Sequence, residues 1–415
     1  LIDELKAVVL TGIRQLKNAR RIVQREKIMV PSMVGMTLEK DDADLAKQLL
    51  GQPENWLDES VISKFHGEFS KWNGSKHVFT LMGGRVALSA CLAGLGLQPD
   101  DEVILPAYTC VVVPNAIKYA GFKPVFADIE LETYGLSLED VKRKLTSKTK
   151  AILIQHLFGL VCKEIEELLH WAKENNIFVI EDCAHSTGAT YKGIKVGNLG
   201  DVGFYSCEQS KVMNTMQGGI AVTNRDDIAA RMKAYYDSTC FPSTKSIDLQ
   251  LRTHVFNYLV SKDPWRWLMV DWKTRKLRKE RAVSTTKGEI RGEQPDEYHC
   301  KMPAAIARLG LNQLAKIDRF NALRKTNAKT WDRWCEKNEV EKAVVIPNSD
   351  PIFLRYPAMV DASKKQDRTW ALKELGVNPG VWFVTQVHPA EQFIPECPNS
   401  MVAVERCINF PSILS

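Results

Sequence analysis

The stretch GDVGFYSCEQSKVMNTMQGGIAVTN, residues 200–224, sets two apolar runs, VGFYS (202–206) and GIAVTN (219–224), on either side of a polar loop. Both runs have the length and near-continuous apolar character of strands covered on both faces. The paired glycines Gly218 and Gly219 permit a tight return between them, and the loop carries one lysine, Lys211. Five runs of the same kind precede it: HVFTL (77–81), EVILPA (102–107), KPVFADI (123–129), KAILIQH (150–156) and IFVIED (177–182). Segments of helical length lie between them. One, CKEIEELLHWAKENN (162–176), has apolar residues at helical spacing with charges opposite. This alternation predicts an α/β fold with a mainly parallel seven-stranded sheet between two helical layers.

The rest of the chain is organised around that sheet. Residues 1–27 read as a basic amphipathic helix, with Ile2, Leu5, Val9, Ile13 and Leu16 at helical spacing. Residues 28–237 form the large domain, 238–295 a basic, tryptophan-rich insertion, and 296–415 a smaller α+β domain that begins with a long amphipathic helix in 302–337. A chain of 415 residues with 45% hydrophobic side chains can bury a large core, which excludes a disordered protein. The ten cysteines form no CxxC pair, so reduced thiols, a cytoplasmic location and no metal site are expected. The longest apolar runs fall short of the roughly 18 residues that span a bilayer.

The net charge of +6 is unevenly placed. Residues 262–291 hold ten Lys/Arg against four Asp/Glu, and residues 1–27 hold seven against three, so the remainder is slightly acidic. Tryptophan beside Lys/Arg in DPWRWLMVDWKTRKLRKER (263–281) fits peripheral contact with an anionic membrane surface through 1–27 and 262–291. Packing of one helix on the body as an arm, with the other segment a solvated insertion that makes a tryptophan-lined core contact, is the plainer reading and the favoured one. No nucleic acid is expected as a partner.

Three strand ends carry reactive groups. VIEDCAHSTGATYKG (179–193) places Asp182 at a strand end with His185 three residues on, and GFYSCEQSK (203–211) does the same for Ser206 and Lys211. LMGGRVALSACLAGLGL (81–97) places Gly84 and Arg85 where a strand turns into a helix, and a helix N-terminus favours an anion. Singly, each has a plainer reading: a surface lysine, a capping aspartate, a structural histidine, a turn. Together they match the needs of pyridoxal 5'-phosphate, which are a lysine for the Schiff base, a carboxylate for the pyridinium nitrogen and an anion cradle.

At these residues the sequence resembles the DegT/DnrJ/StrS family of pyridoxal-phosphate enzymes, best known as aminotransferases of keto sugars. The blocks DDEVILPAYTC (100–110), TKAILIQHLFG (149–159) and IEDCAHSTGATYKGIKVGNLGD (180–201) carry the likeness along with the lysine loop. The resemblance implies fold type I, the aspartate aminotransferase-like fold. It implies that Lys211 forms the Schiff base, Asp182 pairs with the ring nitrogen, His185 bonds the ring's phenolic oxygen and Ser206 contacts the phosphate. Gly84 and Arg85 fall where the family usually has Gly-Thr at the phosphate. Cys110 occupies the usual place of the stacking aromatic, which leaves Tyr108 as the candidate for that stack. His299, in YHCKM (298–302), aligns with an asparagine that reaches the partner's phosphate, which implies a homodimer with shared active sites. His388, in FVTQVHPAE (383–391), falls where the small domain approaches substrate.

The expected activity is transfer of an amino group from an amino acid, glutamate by family analogy, to a keto sugar or to a lipid-linked or amphipathic keto substrate. The alternatives are a lyase, dehydratase or carbon–carbon bond-forming enzyme with the same cofactor, and a non-catalytic regulatory protein on the same fold.

Overall fold

A computed structural model describes residues 19–20, 36–262, 285–377 and 379–414. The 1–27 helix, apart from Ala19 and Arg20, and the tryptophan-rich stretch from 263 to 284 lie outside the described residues, and with them the expected membrane contact.

Seven strands form the central sheet: β1 (His77–Leu81), β2 (Glu102–Pro106), β3 (Lys123–Ala127), β4 (Thr149–Gln155), β5 (Phe178–Asp182), β6 (Val202–Ser206) and β7 (Gly219–Thr223). Their order is β1-β7-β6-β5-β4-β2-β3. Every pairing is parallel except the two made by β7, which runs against both β1 and β6. Strands β2, β6 and β7 are buried along their whole length, as expected of a sheet covered on both faces. Strand β3 is partly exposed because it is an edge, and Pro124, which lacks an N–H to donate, is tolerated there.

Alternate residues of each strand feed opposite cores. Leu153, Ile180 and Phe204 pack with Val86, Leu88 and Leu92 of the helix Gly84–Leu95 and with Ile228 and Met232 of the helix Asp226–Ser238. Ile152, Ile154 and Val179 pack on the other face with Phe65 and Phe69 of the helix Glu59–Asn73 and Ile165 and Leu168 of the helix Ile165–Glu174.

A third core holds the C-terminal part together. Strands β8 (Glu341–Lys342), β9 (Arg355–Met359) and β10 (Cys407–Pro411) make an antiparallel sheet. Trp331 of the long helix Ile317–Lys337 stacks on Phe410 at 4.4 Å. The single helix expected in 302–337 is two, Ala304–Leu314 and Ile317–Lys337. At the break Lys316 reaches the carboxylates of Asp41 (2.9 Å) and Asp42 (2.6 Å). Residues Thr244–Lys262, inside the expected insertion, form a helix that packs on the helix Lys40–Leu50 and buries Ile247, Leu251 and His254. The C-terminal part is joined to the large sheet's loops by Val387–His388, which pairs in parallel with Thr109–Cys110. Among the described residues no helix is long and apolar enough to cross a membrane.

Candidate active site

Ligands of such sheets bind beyond the carboxyl ends of the parallel strands. β4 ends at Gln155, β5 at Asp182 and β6 at Ser206, and all three line one cleft of about 850 Å³. Gly84, Arg85, His185 and Lys211 line the same cleft, with Cys110, Glu208 and Phe383. The fold therefore assembles six of the residues singled out from sequence, drawn from two strand ends, the loops that follow them and the start of one helix.

The anion cradle rests on two close approaches. The helix Gly84–Leu95 starts without a side-chain cap, and the first N–H groups of any helix lack an intrahelical acceptor. A Cβ on Gly84 would stand 3.0 Å from Ser206 Cβ and 3.3 Å from its hydroxyl. A Cβ on Gly219 would stand 2.2 Å from the carbonyl oxygen of Gly83. The two glycines thus let β6, β7 and the helix start converge on one small gap. Arg85 stands at its edge with its guanidinium paired to the buried carboxylate of Glu289. Glu289 was not singled out from sequence. Its legible signal is the capping box that opens the short helix Lys287–Ile290, in which Thr286 and Glu289 exchange hydrogen bonds.

Asp182 is buried and its Oδ1 accepts the Ala184 N–H at 2.9 Å. Burial pushes its carboxyl up to about 6, against the pull of that N–H, Lys211 and His156. Burial likewise holds the Lys211 amine below the usual lysine range; Glu208 and Asp182 oppose this, while Arg355 adds to it. Nζ of Lys211 lies 5.0 Å from the centre of the Trp382 ring. Glu208 Oε2 accepts the Ser210 N–H at 2.9 Å, whereas its Oε1 is buried with no partner.

His185 stacks on the other partner of that lysine, the Trp382 ring, at 4.8 Å. Its Nδ1 accepts the Phe158 N–H at 3.3 Å, which puts the proton of the neutral ring on Nε2. Burial, then the charges of Lys211 and Arg355, keep the ring neutral well below its usual range. His185 is therefore a donor through Nε2.

Three expected residues stand apart from the cleft wall. Tyr108 is fully buried behind it, with its hydroxyl donating to the Trp382 carbonyl (2.9 Å) and accepting from the Phe383 N–H (2.8 Å). Cys110 and Phe383 face the cleft where Tyr108 does not. His388 stacks on the far side of Phe383 at 5.3 Å. His299 is exposed and bonded to Tyr235 and Gln294, at 2.9 and 2.8 Å. Among the described residues, His156, Glu181 and Cys183 bring metal-ligand atoms within 4.8 Å of one another. Glu181, however, already accepts N–H groups from Gly197, Leu199 and Gly200 and pairs with His156, so its role is to brace the strand end.

Comparison with known proteins agrees with this architecture. A sequence model of the DegT/DnrJ/EryC1/StrS aminotransferase family matches residues 13–258 and 269–415, and so takes in most of the segment 238–295. GDP-perosamine synthase of Escherichia coli O157:H7 is 39% identical over 194 residues, 47% of this chain and 52% of that protein. L-glutamine:2-deoxy-scyllo-inosose aminotransferase of Streptomyces kanamyceticus is 31% identical over 279 residues, 66% of this chain and 56% of that protein. The chain spans about half the length of the curated relatives it matches. Among solved structures, an aminotransferase from Psychrobacter cryohalolentis superposes with a TM-score of 0.68 at 23% identity, covering 91% of this chain and 93% of that one. The aminotransferase TlmJ from Streptoalloteichus hindustanus gives 0.69 at 20% identity, covering 91% and 92%. These likenesses show the fold, which is fold type I, aspartate aminotransferase-like. With both long segments matched, the chain belongs to the DegT/DnrJ/EryC1/StrS aminotransferase family.

Proposed function

We propose that the protein is a pyridoxal-phosphate-dependent aminotransferase that moves an amino group from an amino acid to a keto sugar. The observation that carries this reading is the convergence of the Lys211 amine and the buried Asp182 carboxylate on one cleft. The gap kept open by Gly84 beside the Ser206 hydroxyl fits a phosphate, and the orphaned Glu208 Oε1 fits a cleft that a polar group completes. Relatives named for GDP-perosamine synthesis and for L-glutamine-dependent amination of 2-deoxy-scyllo-inosose support a polyhydroxylated keto acceptor and a glutamate-like or glutamine donor.

Asp182 would hold the ring nitrogen. A carboxyl raised to about 6 shares a proton well with a cationic partner at neutral pH. Ser206 and the helix start at Gly84 would hold the phosphate, and His185 would donate from Nε2 to the ring's phenolic oxygen. When bound, pyridoxal phosphate supplies the electron-accepting ring that lets a C–H bond next to an amine ionise. Lys211 would anchor the cofactor through Nζ and, once released by the incoming amine, take a proton from one carbon and return it to another. Its lowered pKa favours that exchange, because a neutral amine is the form that accepts. Phe383 and Leu88 give the cleft an apolar stretch of wall, which would limit the access of water to this exchange.

His299, exposed and outside the cleft of its own chain, is the residue through which a second copy's phosphate site would be completed in a homodimer. The test of the whole reading is spectroscopic. Purified protein with added cofactor should show a visible band that glutamate or glutamine shifts, and a keto sugar nucleotide should restore it. A colourless protein ends the reading. A band that no amino acid shifts transfers it to the lyase class.

A further inference from the structure

Ten cysteines are spread through the chain, and the fold sets one of them apart. Cys240 is exposed and Cys110 half-buried, whereas the other eight are buried. The exposed Cys240 Sγ lies 3.5 Å from the Sγ of Cys300, a residue only 1% exposed. The two are 60 residues apart in sequence. They meet because the chain leaving the helix Asp226–Ser238 runs beside the chain that enters the helix Ala304–Leu314.

Backbone hydrogen bonds hold them in register. The Cys240 N–H donates to the His299 carbonyl at 3.3 Å and the Lys301 N–H donates to the Cys240 carbonyl at 2.9 Å, which makes Cys240 and Cys300 partners across a parallel bridge. Extended segments paired in this way stand about 4.8 Å apart. A disulfide spans Cα separations of roughly 4.4–6.8 Å, so the backbone is already placed for one. The sulfurs touch, and rotation of the exposed Cys240 side chain closes the remaining gap. The Cys300 segment is anchored on its other edge, where the Cys300 carbonyl accepts the Met82 N–H at 2.9 Å and the Met302 N–H donates to the Thr80 carbonyl at 3.0 Å. Met82 lines the main cleft, so a bond at this place ties the rim of that cleft to a segment 60 residues away.

Exposure divides the chemistry between the two thiols. A small reagent in solution reaches Cys240 and does not reach Cys300. Burial first, and then the neighbouring Cys240, push the Cys300 thiol up to about 12, so it does not compete for that reagent.

We propose that Cys240 and Cys300 form a reversible disulfide site that reacts with low-molecular-weight disulfides of the glutathione class. The Cys240 thiolate attacks one sulfur of the small disulfide and releases one small thiolate. That thiolate takes the Cys300 proton, and the Cys300 sulfur attacks Cys240 Sγ and displaces the second small thiolate, which is protonated from solvent. One protein disulfide forms and one small disulfide breaks; the two cysteines are oxidised and the reagent is reduced to two thiols. Transient pairs of this kind are the usual form of disulfides in a reducing compartment. The site stands independently of the aminotransferase reading.

The test exposes the whole folded chain to oxidised glutathione at neutral pH, blocks the remaining thiols with iodoacetamide and maps tryptic peptides by mass spectrometry. Cleavage puts Cys240 in 234–245 and Cys300 in 292–301, with no other cysteine in either peptide. The two should appear joined, lighter by two hydrogens than the sum of the free peptides, and dithiothreitol should separate them. Cys300→Ser should stop with glutathione on Cys240, and Cys240→Ser should leave Cys300 unmodified. Oxidation of the wild type should raise its unfolding temperature and reduction should return it, because the bond closes a long loop that the native fold already closes. A fall in that temperature overturns the proposal, since the native geometry would then have been broken to make the bond. It is equally overturned if glutathione stays on wild-type Cys240 while Cys300 is alkylated, if the buried cysteines pair as readily, or if a non-reducing gel shows the link joining two chains.

Discussion

Lys211 Nζ lies 5.0 Å from the centre of the Trp382 ring, so the amine at the heart of the large sheet's cleft is met by a residue of the C-terminal part. A cation over an indole face gains about 0.5–2 kcal/mol according to its desolvation. Trp382→Leu removes that contact and the stack on His185 together. The expected result is a fall in kcat/KM of about tenfold or more with an unchanged circular dichroism spectrum, measured by steady-state kinetics.

Lys211→Ala should separate chemistry from folding. Loss of the proton-carrying amine is expected to lower kcat by about 10² to 10⁴ or more. Stability should hold or rise, because burial already disfavours the charged amine. Chemical denaturation of the two proteins checks the second half.

Asp182 gives a pH signature. Its folded pKa of about 6 stands above the unfolded value near 3.9, so between those values the folded state binds the proton more tightly. Its contribution is therefore fully present below the unfolded pKa and is lost as pH rises through about 6. In the cofactor-free protein this loss should be on the order of 3 kcal/mol between pH 4 and 7. Asp182→Asn should lack it, and added pyridoxal phosphate should flatten the wild-type curve. Urea unfolding at several pH values, compared between the two proteins, reads the difference.

Gly219→Ala places a methyl 2.2 Å from a backbone oxygen that cannot step aside, and should cost about 1–3 kcal/mol or more while weakening cofactor retention. Gly67→Ala is the matched control. It lies within the helix Glu59–Asn73, nothing stands within 4 Å of its added methyl, and helix propensity should stabilise it by up to about 1 kcal/mol. Thermal unfolding of both variants tests the pair.

His299→Ala should raise the cofactor Kd about tenfold and leave the Lys211 pocket unaltered, if a second copy supplies this contact. Sedimentation equilibrium of the wild type gives the dimer directly; a monomer with unchanged cofactor affinity sinks the proposal.

Much of this was legible along the chain because strands covered on both faces are written as continuous apolar runs. The seven strands emerge within a residue or two of their places, and Asp182, Ser206 and Lys211 follow from standing at strand ends. Strand direction is not written that way. The apolar run of β7 is indistinguishable from those of its parallel neighbours, although its two pairings are antiparallel. Tyr108 shows another limit: a bend at residues 107–108 turns its ring away from the cleft that Cys110 faces. Trp382 and Glu289 lie far from the lysine loop in sequence, and only tertiary packing sets one against Lys211 and the other against Arg85.

The reversal of β7 also sets how the lysine moves. Ser206 and Gly219 are register partners, so residues 207–218 form a loop whose two ends are stapled to each other by the sheet. A short loop closed at its base has little chain entropy left to gain by opening, and its excursions stay local. Hydrogen exchange of those amides should then report a rigid, self-contained module that the sheet carries as one piece.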